Sequence, residues 1–220
     1  MKPGWLTLTT LLWASASLAG WPAISAPPHS SIEDIGRQVR LNGVPMRMQR
    51  VLSSATPKEI IAFYREALGP RHAEEKLPDG RLLSQGRGDY FLTVRVKALG
   101  PSLTESLLSI SDARAARYAA GRPLGIQLPS DTQLVSDMES TDDGKVSRQL
   151  VFLNEHSIDA NVNFVTRTLR AQGYQPQPGD TRNTANGRVL MFEGENREAQ
   201  LVAVHKDGLS NVVLTTVLMP

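Results

Sequence analysis

Apolar residues recur along this chain at helical spacing in two stretches and at every second position in most of the others. The first helical stretch runs from Thr56 to Leu68, with Ile60, Ile61, Phe63, Tyr64 and Leu68 on one face. Thr56 is a good N-cap, Pro57 stands at the first helical position and Glu59 completes a capping box. Gly69-Pro70 ends the run. The second helical stretch opens at Ser157 and stops at Gln172-Gly173-Tyr174. Its core face is Ile158, Val162, Val165 and Leu169, with Phe164 beside it; Asn161 and Asn163 are poorer helix formers within it.

The period-two stretches predict strands. Val44 to Ser54 is the first, with Met46, Met48 and Val51. Arg50 shares the parity of Val44, Met46 and Met48, which calls for a bulge or for an arginine snorkelling at a sheet edge. After the first helix come Ala73 to Leu77, Arg81 to Gln85, Tyr90 to Lys97 and Leu103 to Ser111, the first two joined through Pro78-Asp79-Gly80. Farther on, Gln133 to Glu139 and Val146 to Leu153 form a hairpin about Asp142-Asp143-Gly144. Tyr174 to Asn183, Arg188 to Glu193, Glu198 to His205 and Asn211 to Leu218 follow the second helix, with hairpin signals at Asn186-Gly187 and Asp207-Gly208. Residues 27 to 36 read as a short mobile leader, and Gln38 to Leu41 open the folded part.

The two halves share a pattern. Each helix opens on a hydroxyl residue, with Phe seven places later and Leu twelve places later: Thr56, Phe63, Leu68 and Ser157, Phe164, Leu169. Gly80-Arg81-Leu82-Leu83 and Gly187-Arg188-Val189-Leu190 follow in turn. The expected fold class is therefore α+β, as two tandem repeats, each an antiparallel curved sheet packed on one helix. The first module is 37–111, the linker 112–125 with a short Ala-rich helix, and the second module 126–220. Phe63 should overlie Phe164, and Phe63 should be core.

A strand leading into Thr56-Pro57-Lys58-Glu59 and then Phe63-Tyr64 resembles tandem helix-grip-like modules of exported bacterial proteins of unassigned function. The second half is similar in Leu128-Pro129 and in Leu169 with Gly173-Tyr174. The resemblance covers most of residues 44 to 218 and rests on core and capping positions. It implies a helix-grip-like fold and an envelope location, and it implies no catalytic residue. Tandem helix-grip modules also occur in an outer-membrane assembly lipoprotein; the lipid-bearing Cys is missing here, so that parallel is architectural.

The first 26 residues have the order of a signal peptide: Lys2 as the only charge, an apolar stretch from Leu6 to Gly20, then small residues. Two cleavage points compete, after Ala19 and after Ala26, and Pro27 counts against the second. The apolar core is shorter than a bilayer span, and no other stretch reaches spanning length. The chain has no Cys, which removes disulfides, thiolate metal sites and lipidation at an N-terminal Cys. Arg outnumbers Lys three to one. Together these features point to a bacterial periplasm, with secretion as the alternative.

A formal net charge of +2 on 220 residues gives no long-range pull on nucleic acid or an anionic membrane. His29, His72, His156 and His205 show no metal-binding spacing. No Gly-x-Ser-x-Gly elbow or phosphate-cradling loop occurs, and Asp142-Asp143-Gly144 lacks the other ligands of a calcium loop. No catalytic residue, metal or cofactor is expected. The binding candidates are Arg47, Arg50, Arg87 and Arg95, which lie on strands of the first half. Met46 and Met48 suit core filling or a ligand groove. The expected function is a non-enzymatic periplasmic interaction or assembly protein, accessory to an envelope or secretion apparatus, with an envelope protein as partner. The alternatives are a small-molecule or lipid carrier and, behind it, a hydrolase.

Overall fold

The strands of both halves join into one antiparallel sheet. The computed structural model describes residues 20–119, 121–177, 179 and 182–220, so most of the expected signal peptide lies outside the described residues. In chain order the elements are β1 (Ser31–Leu41), β2 (Val44–Ser53), α1 (Pro57–Leu68), β3 (Ala73–Leu77), β4 (Gly80–Arg87), β5 (Tyr90–Gly100) and β6 (Leu103–Asp112). A short 3-10 helix (Ala115–Tyr118) precedes β7 (Gln133–Asp142), β8 (Lys145–Asn154) and α2 (Ile158–Ala171). The chain closes with β9 (Gln175–Pro176), β10 (Arg182–Thr184), β11 (Gly187–Gly194), β12 (Arg197–Lys206) and β13 (Leu209–Leu218). The strand order is β10-β11-β12-β13-β8-β7-β1-β2-β6-β5-β4-β3, with β9 also on β11.

This overturns the expected fold class. The chain does not form two tandem repeats, each with its own curved sheet on its own helix; the 13 strands among the described residues belong to a single sheet. The join is β1 against β7, which pair over Gln38↔Thr141, Val39↔Ser140, Arg40↔Glu139 and Leu41↔Met138. Asn42 extends it: its N–H donates to Asp137 O at 2.7 Å, and its Oδ1 accepts from Asp137 N at 2.9 Å. The stretch expected as a mobile leader is most of β1, paired with β2 from Ser31↔Leu52 to Leu41↔Val44. Such a strand satisfies its backbone on β2 and offers a second edge, which β7 takes in part. Asn42-Gly43, both at positive φ (51° and 79°), makes the tight turn between β1 and β2.

Directly paired residues share a face of a sheet. The chain of partners Arg148↔Glu139↔Arg40↔Pro45 therefore carries one face across the join, and both helices lie on it. α1 buries Ile60, Tyr64 and Leu68. They meet Val51, Leu83, Leu92, Val94 and Leu108 of the sheet. α2 buries Val165 and Leu169 against Leu150, Phe152, Leu201, Val212 and Leu214. Phe63 is not the core aromatic: it is half-buried and meets the fully buried Tyr64 edge-on, ring centroids 5.2 Å apart. Phe164 is likewise half-buried. In place of a continuous strand from Tyr174 to Asn183, the described residues there form β9 and β10.

Thr56 caps α1 as its sequence predicts. Thr56 Oγ1 accepts from Glu59 N, and Glu59 Oε2 accepts from Thr56 N at 2.8 Å. Before the first strand, Trp21, Ile24 and Ala26 pack on the α1 core. Leu124, Ile126 and Leu128 do the same on the α2 core, so Leu124, placed in the linker by sequence, is part of the packing.

Candidate functional site: two faces of one sheet

The four arginines do not form one patch. β2 pairs with β6 without a register shift, so Arg47 (opposite Ile110) and Arg50 (opposite Leu107) point to opposite faces. Arg47 is on the helix side, its guanidinium 5.1 Å from the centre of the Trp21 ring. Arg87 is on that side too, bonded to Gln85 Oε1 at 2.9 Å. Arg50 and Arg95 share the far face, flanking Leu107. Each is engaged: Arg50 Nε with Glu105 at 2.6 Å and Arg95 Nη2 with Asp79 at 2.7 Å. The hydrogen bond from Glu105 raises the Arg50 pKa, and Arg95 holds the Asp79 carboxyl below its usual range. No bulge in β2 separates Arg50 from Met46 and Met48: all three share the face away from the helices, where Arg50 pairs with Glu105, and the register shifts of the β1–β2 pair lie in β1 between Asp34 and Val39.

Among the described residues, one serine side chain and one histidine side chain meet. His205 Nδ1 lies 3.0 Å from Ser210 Oγ. Ser210 is fully buried, and its hydroxyl donates to His156 O at 2.6 Å. With that proton committed, Nδ1–H must donate to Oγ, so the imidazole cannot serve as its base. The pair fixes the β12–β13 turn against the loop before α2. His156 Nε2 lies 2.9 Å from Ser130 O, and His72 Nδ1 lies 2.6 Å from Gly69 O. Among the described residues no group of three His, Asp or Glu is placed to hold a metal ion.

The face away from the helices differs between the two ends. Around β2, β5 and β6 it holds the Arg50 and Arg95 ion pairs. Around β11, β12, β13 and β8 it holds one lateral row of valines: Val189↔Val202, Val202↔Val213 and Val213↔Val151. The neighbouring row is Met191, Gln200, Thr215, Gln149 and Met138. Neither row contains a charge, and Val204, at the margin, is 43% exposed. The core residues of these strands all point the other way, to α2. An uncovered face of an antiparallel sheet is ordinarily polar; this one carries a row of four valines.

Among the hollows of the helix side, two are floored by aliphatic residues of the sheet. One, about 450 Å³, lies beside the C-terminal end of α2. Leu150, Leu214 and Leu218 make its floor, Leu124 to Ile126 its roof, and Tyr174 with Arg197 its end wall. The roof is latched twice: Gln172 Nε2 donates to Gly125 O at 2.8 Å, and Arg148 Nη2 donates to Pro123 O at 3.2 Å. Arg148 also grips Asp137 at 2.8 and 2.7 Å, which raises its pKa. Arg197 stacks on Tyr174 at 5.6 Å and donates to Gln172 O at 2.7 Å. Burial pushes the Tyr174 phenol up, with Arg197 opposing. The smaller hollow, about 320 Å³, is partly filled by Trp21 and Ile24 above Leu108 and Ile110.

The valine row was readable as alternation within each strand, but not as a row, because strand adjacency is not written locally. No model of a known protein family, no curated protein and no solved structure matches the chain. No helix among the described residues is long and apolar enough to cross a membrane.

Proposed function

We propose that this protein is exported to the bacterial periplasm and works by protein–protein contact, as a non-enzymatic component of an envelope assembly or secretion apparatus. The observation that carries the reading is the row of half-buried valines Val189–Val202–Val213–Val151, with the exposed Val204 at its margin, on the face opposite α2. Contiguous exposed apolar surface on a folded chain marks an interaction site. A partner's sheet or an apolar helix face packs on such a surface by shape and burial alone. Arg50 and Arg95 lie on this same face at the other end and extend it with paired charges. The export half of the reading rests on the leader-like first 26 residues.

The test is crosslinked capture from the native envelope. Val202→Lys together with Val213→Lys should abolish capture of the partner while the circular dichroism spectrum stays unchanged. Arg87→Glu, on the helix side, should keep it. Undiminished capture by the double lysine variant would overturn the assignment of this face.

A further inference from the structure

We infer that the hollow beside the C-terminal end of α2 is a binding site for a small organic anion with an apolar body, such as a medium-chain carboxylate. This site lies on the opposite side of the sheet from the valine row and does not depend on it. Its volume, about 450 Å³, falls in the usual range for small-molecule sites of about 300–1,000 Å³. Its floor is aliphatic: Leu150, Leu214, Leu218 and Val146. A carbon chain laid there leaves water for a surface already bounded by a roof and an end wall.

The charge around it is one-sided. Glu139, Arg148 and Arg197 line the hollow, Asp137 backs Arg148, and Arg40 and Arg122 reach Glu139 at 4.0 and 3.0 Å. Four guanidinium groups thus stand against two carboxylates. Arg148 and Glu139 are engaged with each other's neighbours. Arg197 is different: its hydrogen bonds go to the carbonyl oxygens of Glu195 and Gln172, and it has no carboxylate partner among the described residues. It sits at the end wall, held in place by the Tyr174 ring and by two backbone acceptors. A cation fixed in that way, at the end of an apolar floor, is the complement of an anionic head on an apolar tail.

The roof explains access. Leu124 to Ile126 is held by side-chain bonds to two carbonyls, Gln172 to Gly125 and Arg148 to Pro123, and not by a strand ladder. Lifting the roof breaks these two bonds and draws Leu124 and Ile126 off the α2 core, but leaves the strand ladders intact.

The experiment is calorimetric titration of the mature chain with sodium decanoate and with 1-decanol. Decanoate should bind at a single saturable site, and decanol, which lacks the charge, about tenfold more weakly. Thr216→Trp, whose new ring projects from the floor, should abolish decanoate binding. Arg197→Gln should bring decanoate down to the affinity of decanol. Val202→Lys, on the other face, should bind decanoate like the parent, even where partner capture is lost. No saturable decanoate binding by the parent chain would overturn the site. Equal affinities of the parent chain for decanoate and decanol would overturn the role of Arg197 and with it the proposed ligand class. Thr216→Trp that folds and binds like the parent would overturn the location; where that variant does not fold, the Arg197→Gln comparison decides.

Discussion

Asn154 and Asn161 exchange two side-chain hydrogen bonds in the buried interior beneath α2. Asn154 Nδ2 donates to Asn161 Oδ1 at 2.8 Å, and Asn161 Nδ2 donates to Asn154 Oδ1 at 2.9 Å. Both are almost fully buried. The residue that looked like a poor choice for a helix interior is the polar peg that ties α2 to the end of β8. Asn161 also reaches the carbonyls of His156 and Ser157 at 3.3 and 3.1 Å, closing the loop between strand and helix.

Asn161→Ala should therefore destabilise the chain by about 2 kcal/mol, because it strips several bonds and leaves buried polar atoms of Asn154 short of a partner. Asn161→Leu should do no better, since the cost lies in the abandoned amide and not in lost volume. Urea denaturation measures both. A loss below about 0.5 kcal/mol would mean the pair is incidental.

Two adjacent aromatics on α1 should behave differently. Tyr64 is fully buried and Phe63 half-buried. Tyr64→Ala should cost about 3–5 kcal/mol and Phe63→Ala about 1–2 kcal/mol. Equal losses in a denaturant titration would contradict the packing.

Alkali should unfold the chain through the same tyrosine. Burial pushes the Tyr64 phenol from 10.0 up to about 12, with Ser106 pulling the other way. A folded-state value above the unfolded one means that the unfolded chain gives up its proton first. This contribution to stability is complete below pH 10 and is lost as pH rises towards 12, a fall of about 2 kcal/mol. Tyr64→Phe should flatten the curve of stability against pH in that window. An unchanged slope in the variant would rule the tyrosine out as its source.

The mature chain should begin at Gly20. Trp21 lies 5.2 Å from the Tyr90 ring and under the Arg47 guanidinium, and Ile24 and Ala26 reach the α1 core. Cleavage after Ala26 would discard all three and leave apolar floor open to water. Intact-mass measurement of exported protein should find the cut before Trp21, and a chain started at Pro27 should melt lower. Finding Pro27 as the natural first residue would contradict this packing.

Local chemistry made much of the fold legible. The Thr56–Glu59 box and the Ser157 cap marked both helices, and Asp143-Gly144 and Asp207-Gly208 marked hairpins. β1 escaped notice because Ser31, Glu33, Asp34 and Gln38 break its apolar alternation. Its signal was the Asn42-Gly43 turn between Val39 or Leu41 and Val44 or Met46. The pairing of β1 with β7 joins residues about a hundred positions apart, and no local period encodes it. The arginines were legible as residues but not as a site. Strand register alone places Arg47 and Arg50 back to back, and their partners Trp21 and Glu105 come from distant sequence.

Among the described residues, four rungs and the Asn42–Asp137 exchange join the halves of the sheet, whereas β12 and β13 are laced along ten. Such a molecule is mechanically two stiff plates with a narrow shared margin. Bending about that margin disturbs few hydrogen bonds and neither hydrophobic core, so the dihedral angle between the plates is its softest coordinate. A partner wide enough to touch both plates at once would meet a surface that adjusts its curvature to fit, and would hold that curvature for as long as it stayed.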